Sequence, residues 1–272
     1  MSARGVRALV WRDLTVVRRS GPLLAPIIVL PVIVAGILPG LVAILPRLLG
    51  DSADAGVTTR QLLERLPMAL RLELAGLSND QAMVVLVIGY FLAPVFLILP
   101  FFVSNAIAAD GFAGERERKT LEALLYSPLS DGELFFAKTM VAWIPSLLVT
   151  LGSFVLYSIA ANAAAWPIMG RVFFPNVMWL VLVFWVAPAV AALGLAAMVL
   201  VSARVRGVQE SMQLSGLLVL PLVVLIVNQA RGTMILGTRV TALLGLGCWL
   251  VSGALLWYGT KTFRRQKLIS RI

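Results

Sequence analysis

The sequence predicts an all-α, polytopic membrane protein with six transmembrane helices, an amphipathic N-terminal interfacial helix and a helical cytosolic loop between spans two and three. Three observations predict it. Of 272 residues, 60% are apolar and 13% charged, where a soluble domain is about half apolar and about a quarter charged. Several apolar runs reach the roughly 20 residues that cross a bilayer, and they hold no Asp, Glu, Lys or Arg. Basic residues collect at both termini and net charge is +10. Lys and Arg flanking spans on the cytosolic side account for that balance. No aromatic-basic stretch suggests nucleic acid, and membrane lipid is the expected surroundings.

Residues 1–19 are basic and amphipathic: Val6, Leu9, Val10, Leu14 and Val17 repeat at helical spacing, with Arg4, Arg7, Arg12, Arg18 and Arg19 between them. That pattern reads as a helix lying on the membrane surface. Span one covers 22–45 and carries Pro22, Pro26, Pro31 and Pro39. Prolines are tolerated in spans because neighbours re-satisfy the freed carbonyls. Ala53-Asp54-Ala55 imitates a signal-peptidase site. The apolar run exceeds a signal-peptide core of about 7–15 residues, so the span reads as an uncleaved anchor.

The extracytosolic loop, 46–81, holds one amphipathic piece marked by Leu62, Leu66, Leu70, Leu74 and Leu77 and interrupted by Pro67. It is expected on the outer membrane surface or over the spans. Span two is 82–103, with Pro94 and Pro100, and the cytosolic loop 104–138 follows. Span three is 139–161, and a short outer connection contains Trp166 and Arg171. Span four is 177–201, span five 214–227 and span six 240–258. Span five is short unless it begins inside the preceding loop. With both termini cytosolic, 16 Lys and Arg lie inside and 7 outside. The bias predicts that orientation, in the plasma (inner) membrane.

The six spans contain no ionisable relay of the kind that proton-coupled pumps place in the membrane. The chain has no histidine, which excludes a Ser-His or HExxH hydrolase. Cys248 is the one cysteine; no intramolecular disulfide is possible and a buried, inert thiol is expected. No G-x-x-x-x-G-K-[ST] phosphate loop occurs, so energy for uphill transport must enter from another polypeptide. Gly152, Ser153, Gly194, Gly216, Gly245 and Gly247 read as helix-packing positions.

The loop before span three carries the strongest signal. Glu115, Arg116, Glu117, Arg118 and Lys119 open a charged helix, and Leu121, Leu124 and Leu125 form a stripe at i, i+3, i+4. Ser127-Pro128 stops it. Ser130 or Asp131 can cap the next helix, which bears Leu134, Phe135 and Phe136 and runs into span three. Six acids lie in the loop. Anionic lipid has no use for them; a protein partner does.

The stretch Gly114-Glu-Arg-Glu-Arg-Lys-Thr-Leu-Glu-Ala-Leu-Leu-Tyr-Ser-Pro128, followed by Glu133-Leu-x-x-x-Lys138, resembles the type-2 permease subunits of ATP-binding cassette (ABC) exporters. Lys119 and Ala137 stand where that family usually has glycine. Six spans, an amphipathic N-terminal helix and a long first outer loop extend the likeness over the chain. The resemblance implies a single permease domain, 1–272, that forms the translocation pathway in a dimer, either with a second copy or with a related chain. It implies no catalysis and no cofactor in this chain, with ATP and Mg held by a separate ABC ATPase. Residues 1–19 would be the connecting helix. Glu115, Arg116, Glu117, Arg118, Thr120, Leu121, Glu122, Leu124, Leu125, Pro128 and Glu133 would contact the ATPase. The competing reading is a membrane scaffold or assembly factor whose loop only docks a cytosolic partner.

Overall fold

The computed structural model describes residues 27–49, 66, 68–114, 130–202, 204, 205, 207–231 and 236–262, together with Trp11 and Thr15. All regular structure among them is helical. We label the helices α1 (27–49), α2 (Met68–Leu74), α3 (Asn79–Gly114), α4 (Asp131–Met169), α5 (Val177–Ser202), α6 (Val208–Gln229) and α7 (Thr238–Thr260). All but α2 are long and apolar enough to cross a membrane.

Burial orders these helices. The most apolar stretches of α3 and α5 are 67% buried, those of α1 and α4 33%, and those of α6 and α7 17%. The α3–α5 pair is therefore the core, and the other spans lean on it with one flank each. Exposed leucines and valines on α6 and α7, such as Leu217, Val224, Leu243 and Leu250, suit lipid contact. No hydrophobic force drives helices together in lipid, so close backbone approach has to replace it. Gly194 on α5 supplies one: a Cβ there would lie 2.5 Å from the Phe101 carbonyl oxygen and 2.7 Å from Ser104 Oγ on α3. Gly245 on α7 lies against Trp185 in the same way. Of the small residues read from the sequence as packing positions, Gly194 and Gly245 fill that role. Gly152, Gly216 and Gly247 have no neighbour within 4 Å of a built Cβ. Ser153 is buried, with its hydroxyl on the Val149 carbonyl of its own helix.

Local chemistry starts and stops the helices. Ser78 and Gln81 form a capping box at the start of α3, and Ser130 and Glu133 form another at the start of α4. Asn176 accepts from Trp179 N–H to open α5. Gly170 ends α4 in the left-handed region at φ 61°, which suits a residue without Cβ. Leu66, Leu70 and Leu74 are buried in the main apolar cluster. The amphipathic piece of the first loop thus packs over the spans; Leu62 lies outside the described residues.

Three helices run past the spans read from hydropathy. α3 continues through 104–114, a stretch the sequence assigns to the loop. Ser104, Asn105 and Asp110 interrupt the apolar run there, yet Ser104 and Asn105 are buried and hydrogen-bonded inside the bundle. α4 spans 39 residues and includes Trp166, which the sequence places in a connection. α6 begins at Val208 rather than at 214. At 1.5 Å per residue α4 is about 58 Å long, against a hydrocarbon layer of about 30 Å. α3 has 36 residues, or about 54 Å. Both helices therefore carry their ends clear of the apolar layer. The predicted interfacial helix over 1–19 lies outside the described residues except for Trp11 and Thr15.

Candidate functional site

Residues 115–129 lie outside the described residues, and with them Glu115, Arg116, Glu117, Arg118, Thr120, Leu121, Glu122, Leu124, Leu125 and Pro128. Their two roots are described. One is the end of α3, where Ala109–Gly114 widens into a π-helical turn with Phe112, Ala113 and Gly114 buried. The other is the start of α4. There Glu133, the one residue of the predicted set that is described, accepts from both the backbone N–H and the hydroxyl of Ser130 at 3.0 Å, and Ser130 Oγ accepts from Glu133 N–H.

The roots touch. Lys138 is 3% exposed, and its Nζ donates to the Gly111 carbonyl at 2.7 Å across 27 residues of chain. A buried ammonium is costly unless its protons are received. The Gly111 carbonyl receives one of them. The Phe112 ring lies 5.7 Å from Nζ, within range of a cation–π contact. Phe112 also packs against Phe135 of α4, with ring centroids 6.2 Å apart. Phe135 in turn reaches the close crossing of α7 at Gly259, 3.6 Å from a Cβ built there.

From these roots a polar path leads into the bundle. Asn105, two turns before the end of α3, donates to the Gly194 carbonyl on α5 at 3.3 Å and accepts from Ser215 Oγ on α6 at 3.1 Å. One amide thereby bridges three spans.

At its other end α3 is broken. Leu92 N–H reaches the Val87 carbonyl at 2.9 Å instead of the Ile88 carbonyl, and Pro94 has no N–H to return to Tyr90. Three side chains from three helices receive the carbonyls of this stretch. Tyr157 Oη on α4 donates to Ile88 at 2.7 Å, Trp179 Nε1 on α5 to Gly89 at 2.8 Å, and Gln229 Nε2 on α6 to Tyr90 at 2.7 Å. Tyr90 Oη donates to Glu73 of α2 at 2.7 Å, which secures the amphipathic piece over the bundle.

Two overlong, mutually tied helices flank the charged sequence 115–129, and all other spans contact a core of α3 and α5. The family profile for ABC-2 family transporter protein matches residues 7–245. The chain belongs to the ABC-2 transporter family. It is a multi-pass membrane permease of the ABC transporter type. Neither curated proteins nor solved structures give a match.

Within this ABC-2 permease, sequence reasoning missed Lys138 as more than a motif terminus, and it passed over Asn105 and Gln229. Each is a polar residue at the edge of an apolar run, and that was the available signal: a polar group retained in such a place needs a partner.

Proposed function

We propose that this chain is the membrane-spanning subunit of an ABC exporter, acting as a pair of permease chains that each dock a separate ABC ATPase through 115–128. The pair is two copies of this chain or this chain with a relative. ATP and Mg belong to the ATPase, and this chain provides the pathway. The observation that carries the reading is the tie between α3 and α4 at Gly111 and Lys138. A push on the segment between them reaches two spans together, and Asn105 passes it to α5 and α6. Such a transmission needs a stiff mount rather than a slack linker. Both termini are cytosolic in this reading, the side that holds 16 of the 23 basic residues.

Leu125→Asp tests it. A leucine buried at a docking surface contributes less than the about 2–5 kcal/mol of a core leucine, but about 1.4 kcal/mol already changes affinity tenfold. The variant permease is expected to insert normally and to lose the ABC ATPase that co-purifies with the wild-type chain from native membranes. Undiminished recovery of the ATPase with the Leu125→Asp chain would overturn the docking assignment.

A further inference from the structure

We propose that Lys138 is a positioning residue for energy coupling, a clamp that makes the two roots of the 115–129 segment move as one body. The proposal rests on the docking role of that segment. Four observations carry it. The Lys138 side chain is buried although it stands at the end of a polar stretch. Its Nζ bonds a carbonyl on the other root, 27 residues back. That carbonyl lies in the π-helical stretch Ala109–Gly114 of α3. The aromatic pair Phe112 and Phe135 closes over the same junction from both sides.

The segment between the roots is 15 residues long. A force on it can spread its ends, bend one helix, or displace both helices together. Without a tie, spreading is the softest of these, because two helix ends separated in sequence share no backbone hydrogen bond. The ammonium–carbonyl bond resists spreading at the level where the force enters. Its energy is that of a hydrogen bond to a charged group in a water-poor setting. Displacement is then left to the joint motion of α3 and α4. The capping box at Ser130 keeps the α4 root helical up to its first residue, so slack does not reappear there.

The experiment uses the full permease, with its co-purified ABC ATPase, in lipid nanodiscs. Lys138→Met removes the charge and the donor and keeps the length; Lys138→Arg keeps the charge; Lys138→Gln keeps an amide donor and serves if the Met chain does not accumulate. Two quantities are read. Amide hydrogen exchange at 109–114 and 131–134 is expected to speed up by about tenfold or more in Lys138→Met, the effect of losing one charged hydrogen bond, while exchange at 187–202 stays as in wild type. The ATPase is expected to remain bound in wild-type amount, but its ATP turnover falls to the rate of the free ATPase. Lys138→Arg restores both, and Lys138→Gln lies between. A purely stabilising lysine would leave the turnover of the bound ATPase unchanged, and that result overturns the proposal. So does unchanged exchange at the roots. Failure of the docking role looks different: root exchange still responds to Lys138→Met, while Leu125→Asp retains the ATPase.

Discussion

The two halves of α3 are held in the bundle by different means. The first half, up to Leu97, is broken backbone: a π-helical stretch, a turn at Leu92 and Pro94. Its carbonyls are received by Tyr157, Trp179 and Gln229. Around them Phe96, Tyr157, Phe174 and Trp179 cluster, with Tyr157 stacked on Trp179 at 4.6 Å between centroids and Phe174 edge-on to Trp179 at 4.8 Å. The second half, Ile98–Ala108 and the turn after it, is helical throughout and is held by backbone proximity at Gly194, by Asn105 and by Lys138. One half is specified by side-chain donors alone, the other also by the absence of a side chain at Gly194. The difference matters because donors can be exchanged one at a time, whereas a backbone contact has no partial form.

That contrast sets the order of effects. Gly194→Val is expected to be the most damaging change, because the added atoms meet a backbone oxygen that no rotamer can move. Overpacking typically costs about 1–3 kcal/mol and more where nothing yields, so the thermal midpoint in detergent should fall steeply. Gly152→Val, with open space around it, should leave the midpoint in place. Equal effects of the two would dissolve the distinction.

Tyr157→Phe keeps the ring and removes the donor to Ile88 O. A buried carbonyl left unsatisfied costs about 1–3 kcal/mol. The expected result is a moderate loss of midpoint, with faster amide exchange confined to 86–97. A loss spread evenly over α3 would show that the broken half is not a separate unit.

Gln229→Leu should do least. Its Nε2 serves Tyr90 O, but its own Oε1 is buried with no hydrogen-bond partner. Leucine orphans one acceptor and removes another, and the two costs of about 1–3 kcal/mol each oppose. A midpoint within about a degree of wild type is expected by differential scanning fluorimetry; a fall as large as that of Tyr157→Phe would rule out the offset.

The sequence made the spans legible because hydropathy is a sum over some twenty residues and survives a few polar ones. It failed where a few polar residues were the point. Ser104, Asn105 and Asp110 looked like the start of a loop, since the partners of Asn105 on α5 and α6 lie 89 and 110 residues away. Lys138 counted as one more cytosolic charge, because burial against Gly111 is a property of the folded pair. Gly152 and Gly194 are alike in sequence, and only the crossing of α3 and α5 separates them. The capping box was legible in outline: Ser130 with an acid three residues on is a local pattern and needs no partner from elsewhere. The stripe of Leu121, Leu124 and Leu125, which we propose faces the ATPase, was equally local, but its use depends on a second polypeptide.

The three carbonyls of α3 that depend on Tyr157, Trp179 and Gln229 also constrain how the chain is made. Synthesis runs from the N-terminus, so α3 leaves the ribosome before any of its three donors exists. Unsatisfied carbonyls are poorly tolerated in hydrocarbon. A nascent α3 has to stay beside water or the insertion machinery, or hold a straighter hydrogen-bonding pattern, until residue 157 and then 179 arrive. Its final broken form waits for residue 229. The final form of this span is thus a late event, reached when about five-sixths of the polypeptide has been translated.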